Sequence, residues 1–258
     1  MKYLIVPNFY APKSPTYYEK FGSEKIHAVS YNQCNFKCAF CGFKKLKEEN
    51  TYHDYSLEAF EQIVEKLIPY GLGFKFTGGE PTLNSGLLDS LRCVKKHGGA
   101  VLVDTNGSNY EMMRLACDEN LIDVLGISLK GLNPEEAMKT SGINKRQLCW
   151  DNVLKTIHYV ASSRKADVLV TYVVDSTTAL SDLERFIELF RSESPIYFKV
   201  NNFQESKFTA DTGLRPYSSN LLRKTLKSIT ERYSELQGRI IFVDGSRGIR
   251  DSSGVEVM

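Results

Sequence analysis

An α/β fold built on parallel strands is what this 258-residue sequence predicts. Short runs rich in β-branched and aromatic residues alternate with stretches of helical periodicity, and glycine signals mark the changeovers. Hydrophobic residues make up 42% of the chain and charged residues 25%, the balance of an ordinary globular core.

The elements follow in order. Residues 1–24 are an aromatic, proline-bearing lead-in, expected to be an N-terminal extension. KIHAVSY (25–31) reads as a strand and runs directly into a cysteine loop. LEAFEQIVEKLI (57–68) repeats apolar residues at helical spacing behind Ser56, a good N-cap. GFKFT (73–77) is a strand ending in Gly78-Gly79, and the helix expected over 85–97 stops at Gly98-Gly99. AVLVDT (100–105), a helix over 109–119 and LIDVLGISL (121–129) come next. A helix over 148–163, the strand DVLVTYVV (167–174) and a helix over 180–191 continue the alternation. IYFKVN (196–201), a helix over 217–236 and IIFVD (240–244) complete it, ahead of a polar C-terminal tail, 245–258. Strands alternating with helices in this way imply right-handed βαβ crossovers and one core domain over 25–244. Length alone leaves an open doubly wound sheet and a barrel equally available.

Charge excludes some function classes. The net charge is +2, with 33 basic residues spread among 31 acidic ones, so there is no concentrated basic face for nucleic acid. The run Lys44-Lys45-Leu46-Lys47 stands beside Glu48 and Glu49 and reads as a solvated loop. The opening MKYLIVPNFY is too short for a signal segment or a membrane span, so the chain reads as cytoplasmic. Tyr17, Tyr18 and Phe21 could roof a site or cap the base of the fold.

Six cysteines in a chain of this length do not describe a secreted disulfide scaffold. Cys93, Cys117 and Cys149 sit singly in helix-like stretches and read as small buried hydrophobes. Cys34, Cys38 and Cys41 crowd into eight residues, Cys-Asn-Phe-Lys-Cys-Ala-Phe-Cys. Iron–sulfur clusters are held by thiolates, usually four, so three leave one iron of a four-iron cube without a protein ligand. An open position on a metal suits catalysis, and a zinc site would want a fourth Cys or His at paired spacing, which His27 and His53 do not supply.

The loop Cys-x-x-x-Cys-x-aromatic-Cys, with Phe40 as its aromatic, resembles the signature of the radical S-adenosylmethionine (SAM) superfamily. The resemblance implies a partial (βα)6 TIM-like barrel, a [4Fe–4S] cluster on Cys34, Cys38 and Cys41, and SAM beside it. It also implies an external one-electron donor of flavodoxin or ferredoxin type. Thr77-Gly78-Gly79-Glu80-Pro81 is similar to the family's GGE segment: two glycines allow close backbone approach to a ligand, and Glu80 offers an acceptor for SAM's α-ammonium. Asp104-Thr105-Asn106-Gly107 and Ser128-Leu129-Lys130-Gly131 end two strands at the expected barrel mouth. They resemble segments of the pyruvate formate-lyase activating enzyme group, which places Asp104, Asn106, Ser128 and Lys130 around SAM. Ser128 stands where that group has an aspartate, so the single carboxylate of Asp104 beside Lys130 is expected to bind no monovalent cation. Asn202 is a further expected polar contact to SAM. Gly42-Phe43 replaces the His-Asn that follows the third cysteine in that group. These residues leave two substrates open: the glycine backbone of a glycyl-radical enzyme partner, or a small metabolite or natural-product precursor modified directly. A non-catalytic metal-binding module would have no use for the GGE segment.

Overall fold

The structure, a computed structural model, describes residues 2–10, 25–42, 52–71, 73–193, 196–205, 209, 212–244 and 255–257. The lysine run 44–47 and the aromatic trio at 17, 18 and 21 lie outside the described residues. The strands are β1 (Lys2–Tyr10), β2 (Lys25–Tyr31), β3 (His53–Asp54), β4 (Gly73–Gly78), β5 (Ala100–Thr105), β6 (Val124–Leu129), β7 (Asp167–Val174), β8 (Ile196–Asn202), β9 (Ile240–Val243) and β10 (Val255–Val257). They form one 10-stranded sheet in the order β10-β9-β8-β7-β6-β5-β4-β2-β1-β3. From β2 through β9 the order-neighbours run parallel, while β1, β3 and β10 join antiparallel at the two ends. The sheet does not close on itself, as a partial barrel requires. Two segments expected to lie outside the sheet contribute strands to it: the lead-in supplies β1, and the polar tail supplies β10.

The helices are α1 (Leu57–Leu67), α2 (Leu87–Lys96), α3 (Tyr110–Asp118), α4 (Pro134–Ser141), α5 (Asn152–Ser163), α6 (Leu180–Glu188) and α7 (Ser219–Arg232). Ser56 caps α1, its Oγ accepting from Ala59 N at 3.2 Å. The sequence reading has no counterpart for α4. Its boundary signals are all present: Asn133 as N-cap, Pro134 in the first turn, and Gly142 at φ +67 beyond the end. With only Ala137 and Met138 as apolar residues inside it, no periodicity announces it. A π-turn, Gln147–Asp151, leads into α5 and accounts for the expected helix start near 148.

Alternation along each strand sorts its side chains to two faces. Phe74 and Phe76, Val101 and Val103, Leu125 and Ile127, Val168 and Val170, and Phe198 and Val200 pack outward in the large core under the helices. Ile26, Leu102, Val124, Leu169 and Ile241 point the other way and meet in a second, smaller cluster on the concave side, with Tyr197 against it. The concave face therefore has an apolar floor. One step further toward the C-terminal ends, the same face carries Lys75, Asp104, Gly126, Thr171 and Lys199.

His27 faces outward from β2 and is fully buried. Its Nε2–H donates to Leu67 O at 2.8 Å, at the end of α1, and its ring tilts against Phe74. Burial, the larger effect, pushes its pKa below 6.5, and the hydrogen bond opposes it. The unfolded chain binds this proton near the ordinary value while the folded chain resists it. The contribution is therefore complete above that value and is lost as pH falls through the folded pKa. Calorimetry should show the melting temperature dropping between pH 7 and pH 5, with a smaller drop in His27→Gln. Equal pH dependence in the two proteins would refute this account.

Candidate functional site

The cysteine loop hangs off the C-terminal end of β2 and is tied down at three places. Gly79 N donates to Tyr31 O at 2.8 Å and Glu80 N donates to Gln33 O at 2.6 Å, stitching the end of β4 to the start of the loop. Asn35 Nδ2 donates to Ser108 Oγ at 2.9 Å, and Asn35 Oδ1 accepts from Asn106 Nδ2 at 2.8 Å, fixing the loop to the end of β5. Lys37 N donates to Ser141 O at 2.7 Å, fixing it to α4. Phe36 and Cys38 are buried in the main core, so the loop is packed as well as hydrogen-bonded.

The two glycines have a reason the sequence did not disclose. Gly78 sits at φ +97, and a Cβ there would lie 2.4 Å from Ser30 Oγ; a Cβ on Gly79 would lie 2.0 Å from Gln33 O. The close approach they permit is to the chain entering the cysteine loop. Glu80 is fully buried. Its Oε1 accepts from Thr82 N at 3.1 Å, Thr82 Oγ at 2.6 Å and Thr105 Oγ at 2.6 Å, and its Oε2 accepts from Asn106 N at 2.7 Å. One carboxylate thus clasps the ends of β4 and β5 together. Burial pushes its pKa up, and the four donors counter that. Oε2, with one donor, keeps a lone pair for a cationic neighbour.

All six cysteines are free thiols. Cys93, Cys117 and Cys149 are buried in α2, α3 and the π-turn, away from the loop. Although Cys34 is exposed, desolvation by the protein packed around its sulfur is the main cause pushing the thiol up to about 11; Phe36 N donates to its Sγ at 3.4 Å, and Glu80, Cys38 and Cys41 repel its thiolate. Among the described residues, the Cys, His and carboxylate donors that lie within 4.8 Å of one another are those of Glu61, Cys93 and His97; the triad is spread more widely. A single zinc ion would hold its sulfurs about 3.8 Å apart. The wider spread fits a larger polynuclear cluster.

The remaining candidates divide into two groups. Lys130 Nζ donates to Ser128 Oγ at 2.6 Å and lies 5.3 Å from the centroid of the Phe40 ring, so Phe40, Ser128 and Lys130 form one patch beside the loop. Asp104 is paired with Lys75 at 2.6 Å, so the charge balance expected from Lys130 comes from a residue of β4. Asn202 is committed elsewhere: Nδ2 donates to Tyr217 O at 3.0 Å and Oδ1 accepts from Tyr217 N at 2.8 Å, holding β8 to the approach of α7. Its neighbour Asn201 faces the concave side with Oδ1 buried and unpartnered among the described residues. Asn35, Thr82, Thr105, Ser108, Lys75 and Lys199 were not singled out from sequence. Only the two lysines carried a local signal, each being a charge flanked by apolar residues within a strand.

The Radical SAM superfamily model matches residues 29–190. A protein of Thermoplasma volcanium named as a GTP 3′,8-cyclase is 26% identical over 158 residues, covering 60% of this chain and 47% of its own length. One of Methanocaldococcus jannaschii named as a glycyl-radical enzyme activating enzyme is 28% identical over 195 residues, covering 70% of this chain and 68% of its own length. The chain thus spans about half the length of the first relative and two thirds of the second. The crystal structure of Streptococcus suis SuiB bound to S-adenosylmethionine superposes with a TM-score of 0.63 at 17% identity, covering 83% of this chain and 45% of that one, a likeness of fold. Among the described residues, no helix is long and apolar enough to cross a membrane. With the family model covering more than half of its length, the chain belongs to the Radical SAM superfamily, whose enzymes use a [4Fe–4S] cluster and S-adenosylmethionine.

Proposed function

We propose that this chain is a radical SAM enzyme that abstracts hydrogen from a small molecule seated on the concave face of the half-barrel. The observation that carries the reading is the suspension of Cys34, Cys38 and Cys41 over the C-terminal strand ends by the Glu80 clasp, with no fourth cysteine in the loop. Those three thiolates would hold a [4Fe–4S] cluster, and SAM would occupy the position left open. When bound, the pair supplies a one-electron cleavage of the S–C5′ bond, giving methionine and a 5′-deoxyadenosyl radical; a flavodoxin or ferredoxin type of donor would provide the electron.

The chain's own residues do the positioning. Glu80 Oε2 offers its remaining lone pair to the α-ammonium of SAM while its other bonds keep the loop in register. Lys130, steered by Ser128, presents a positive charge at the mouth, suited to the methionine carboxylate. Phe40 covers one side of that contact. The apolar floor of Ile26, Leu102, Val124, Leu169 and Ile241 closes the base and keeps water from a reactive species above it.

A second reading, activation of a glycyl-radical enzyme, is favoured by the likeness to the M. jannaschii relative. The charged layer on the concave face favours a small molecule, since a glycine backbone brings no charge to meet it. After anaerobic reconstitution, the chain should bind about four irons and, with dithionite and SAM, release 5′-deoxyadenosine. A protein that binds four irons but never cleaves SAM would end this proposal.

A further inference from the structure

A charged layer lies on the concave face, and the chemistry at the cysteine loop makes no use of it. Lys75 Nζ meets Asp104 Oδ2 at 2.6 Å, with the lysine side chain 9% exposed. Asp104 Oδ1 lies across β6, where a Cβ on Gly126 would be 2.2 Å away, so a glycine is what lets the carboxylate reach over. Lys199 stands on β8, and β5, β6 and β7 separate that strand from β4. On a flat sheet those strands would be roughly 19 Å apart. Lys199 faces the same concave side from β8, and the sheet is curled enough for the charges of Lys75 and Asp104 to act on it.

The charges do not balance. Lys75 and Asp104 cancel, and Lys199 is left over. Among the described residues nothing accepts a hydrogen bond from its ammonium and no carboxylate pairs with it. Its register partners, Thr171 on β7 and Ile241 on β9, carry no charge. Burial first, then the like charge of Lys75, push its pKa from 10.5 down to about 8, with Asp104 pulling the other way. Lys199 is half-buried on this face, and an ammonium there without a counter-charge is stabilised by an anion beside it.

We infer that this layer is an anion subsite: a phosphate or carboxylate group of the substrate is held on the concave face by Lys199 and by Lys75, which Asp104 keeps in place. The inference rests on the proposed small-molecule reading and names the class of molecule. Asn201, two residues nearer the strand ends, has its Oδ1 buried and unpartnered, an acceptor for a hydroxyl or amide of the same ligand.

The same positive charge could instead meet the carboxylate of SAM, so the test has two arms on the reconstituted enzyme. Isothermal titration with inorganic pyrophosphate measures the subsite, and titration with SAM measures the cofactor. Lys199→Met should weaken pyrophosphate binding at least tenfold while moving SAM affinity less than threefold. Lys199→Arg, which keeps the charge, should stay within about threefold of wild type for pyrophosphate. In the wild type, pyrophosphate affinity, corrected for the ligand's own ionisation, should decline as Lys199 loses its proton around pH 8. If Lys199→Met does not fold, the arginine variant and the pH profile decide. No pyrophosphate binding by the wild type, undiminished binding by Lys199→Met, or a loss confined to SAM would each overturn the inference. Failure of the radical SAM reading shows separately, as absent iron or absent 5′-deoxyadenosine release in the wild type.

Discussion

Replacing any one of Cys34, Cys38 or Cys41 by alanine should take the reconstituted iron content from about four per chain to near zero. Release of 5′-deoxyadenosine should vanish with it. The size of the effect follows from the donor count. A cube already short of one protein ligand is left with two, and the loop holds no further Cys or His to substitute. Cys38→Ala carries a second cost, because that side chain is 7% exposed and packs in the main core; its melting temperature should fall while that of Cys34→Ala, at an exposed position, should not. The controls are Cys93→Ser, Cys117→Ser and Cys149→Ser. Cys149 already donates to Lys145 O at 3.2 Å, a bond a serine hydroxyl can keep. Iron and sulfide analysis with the visible absorption spectrum reads all six. Full cluster loss in Cys149→Ser would break the ligand assignment.

What the sequence disclosed and what it withheld divide along contact range. The triad, Gly78-Gly79-Glu80 and the strand ends at Asp104 and Ser128 are local patterns, each readable within a few residues and an adjoining strand. Strand β1 escaped because Pro7 interrupts it and it pairs antiparallel with β2, outside the βαβ rhythm. Helix α4 escaped because caps without apolar periodicity are weak evidence alone. The layer of Lys75, Asp104 and Lys199 escaped for a different reason. It unites β4, β5 and β8, and nothing in a linear pattern says that β8 curls back toward β4. Alternation within GFKFT and IYFKVN does place each lysine on the face opposite its phenylalanines. That signal is enough to ask which charge waits on the concave side.

Glu80 gives the second large effect, and it separates two roles that the sequence merged into one. Were Glu80 only an acceptor for SAM, Glu80→Ala would leave the SAM-free protein as stable as wild type. The structure predicts otherwise. The substitution strips the acceptor from Thr82 N, Thr82 Oγ, Thr105 Oγ and Asn106 N in a site with no exposure. The two hydroxyls can turn to other acceptors, but the two backbone donors cannot. Leaving them unsatisfied, together with the cavity, should cost about 3–5 kcal/mol. For a chain of this size that lowers the melting temperature by roughly 6 °C or more. Because Asn106 also holds Asn35 of the cysteine loop, the reconstituted protein should lose iron faster to a chelator as well. Glu80→Gln separates the functions. Its carbonyl can still serve the three donors at Oε1, while its amide N–H₂ faces Asn106 N and can accept nothing from a ligand. Stability and iron retention should fall less than in Glu80→Ala, because Asn106 N alone loses its acceptor, and SAM affinity should fall about ten- to a hundredfold, the loss of one charge-assisted hydrogen bond. Unchanged SAM affinity in Glu80→Gln would confine Glu80 to the clasp; an Ala variant as stable as wild type would dispose of the clasp itself.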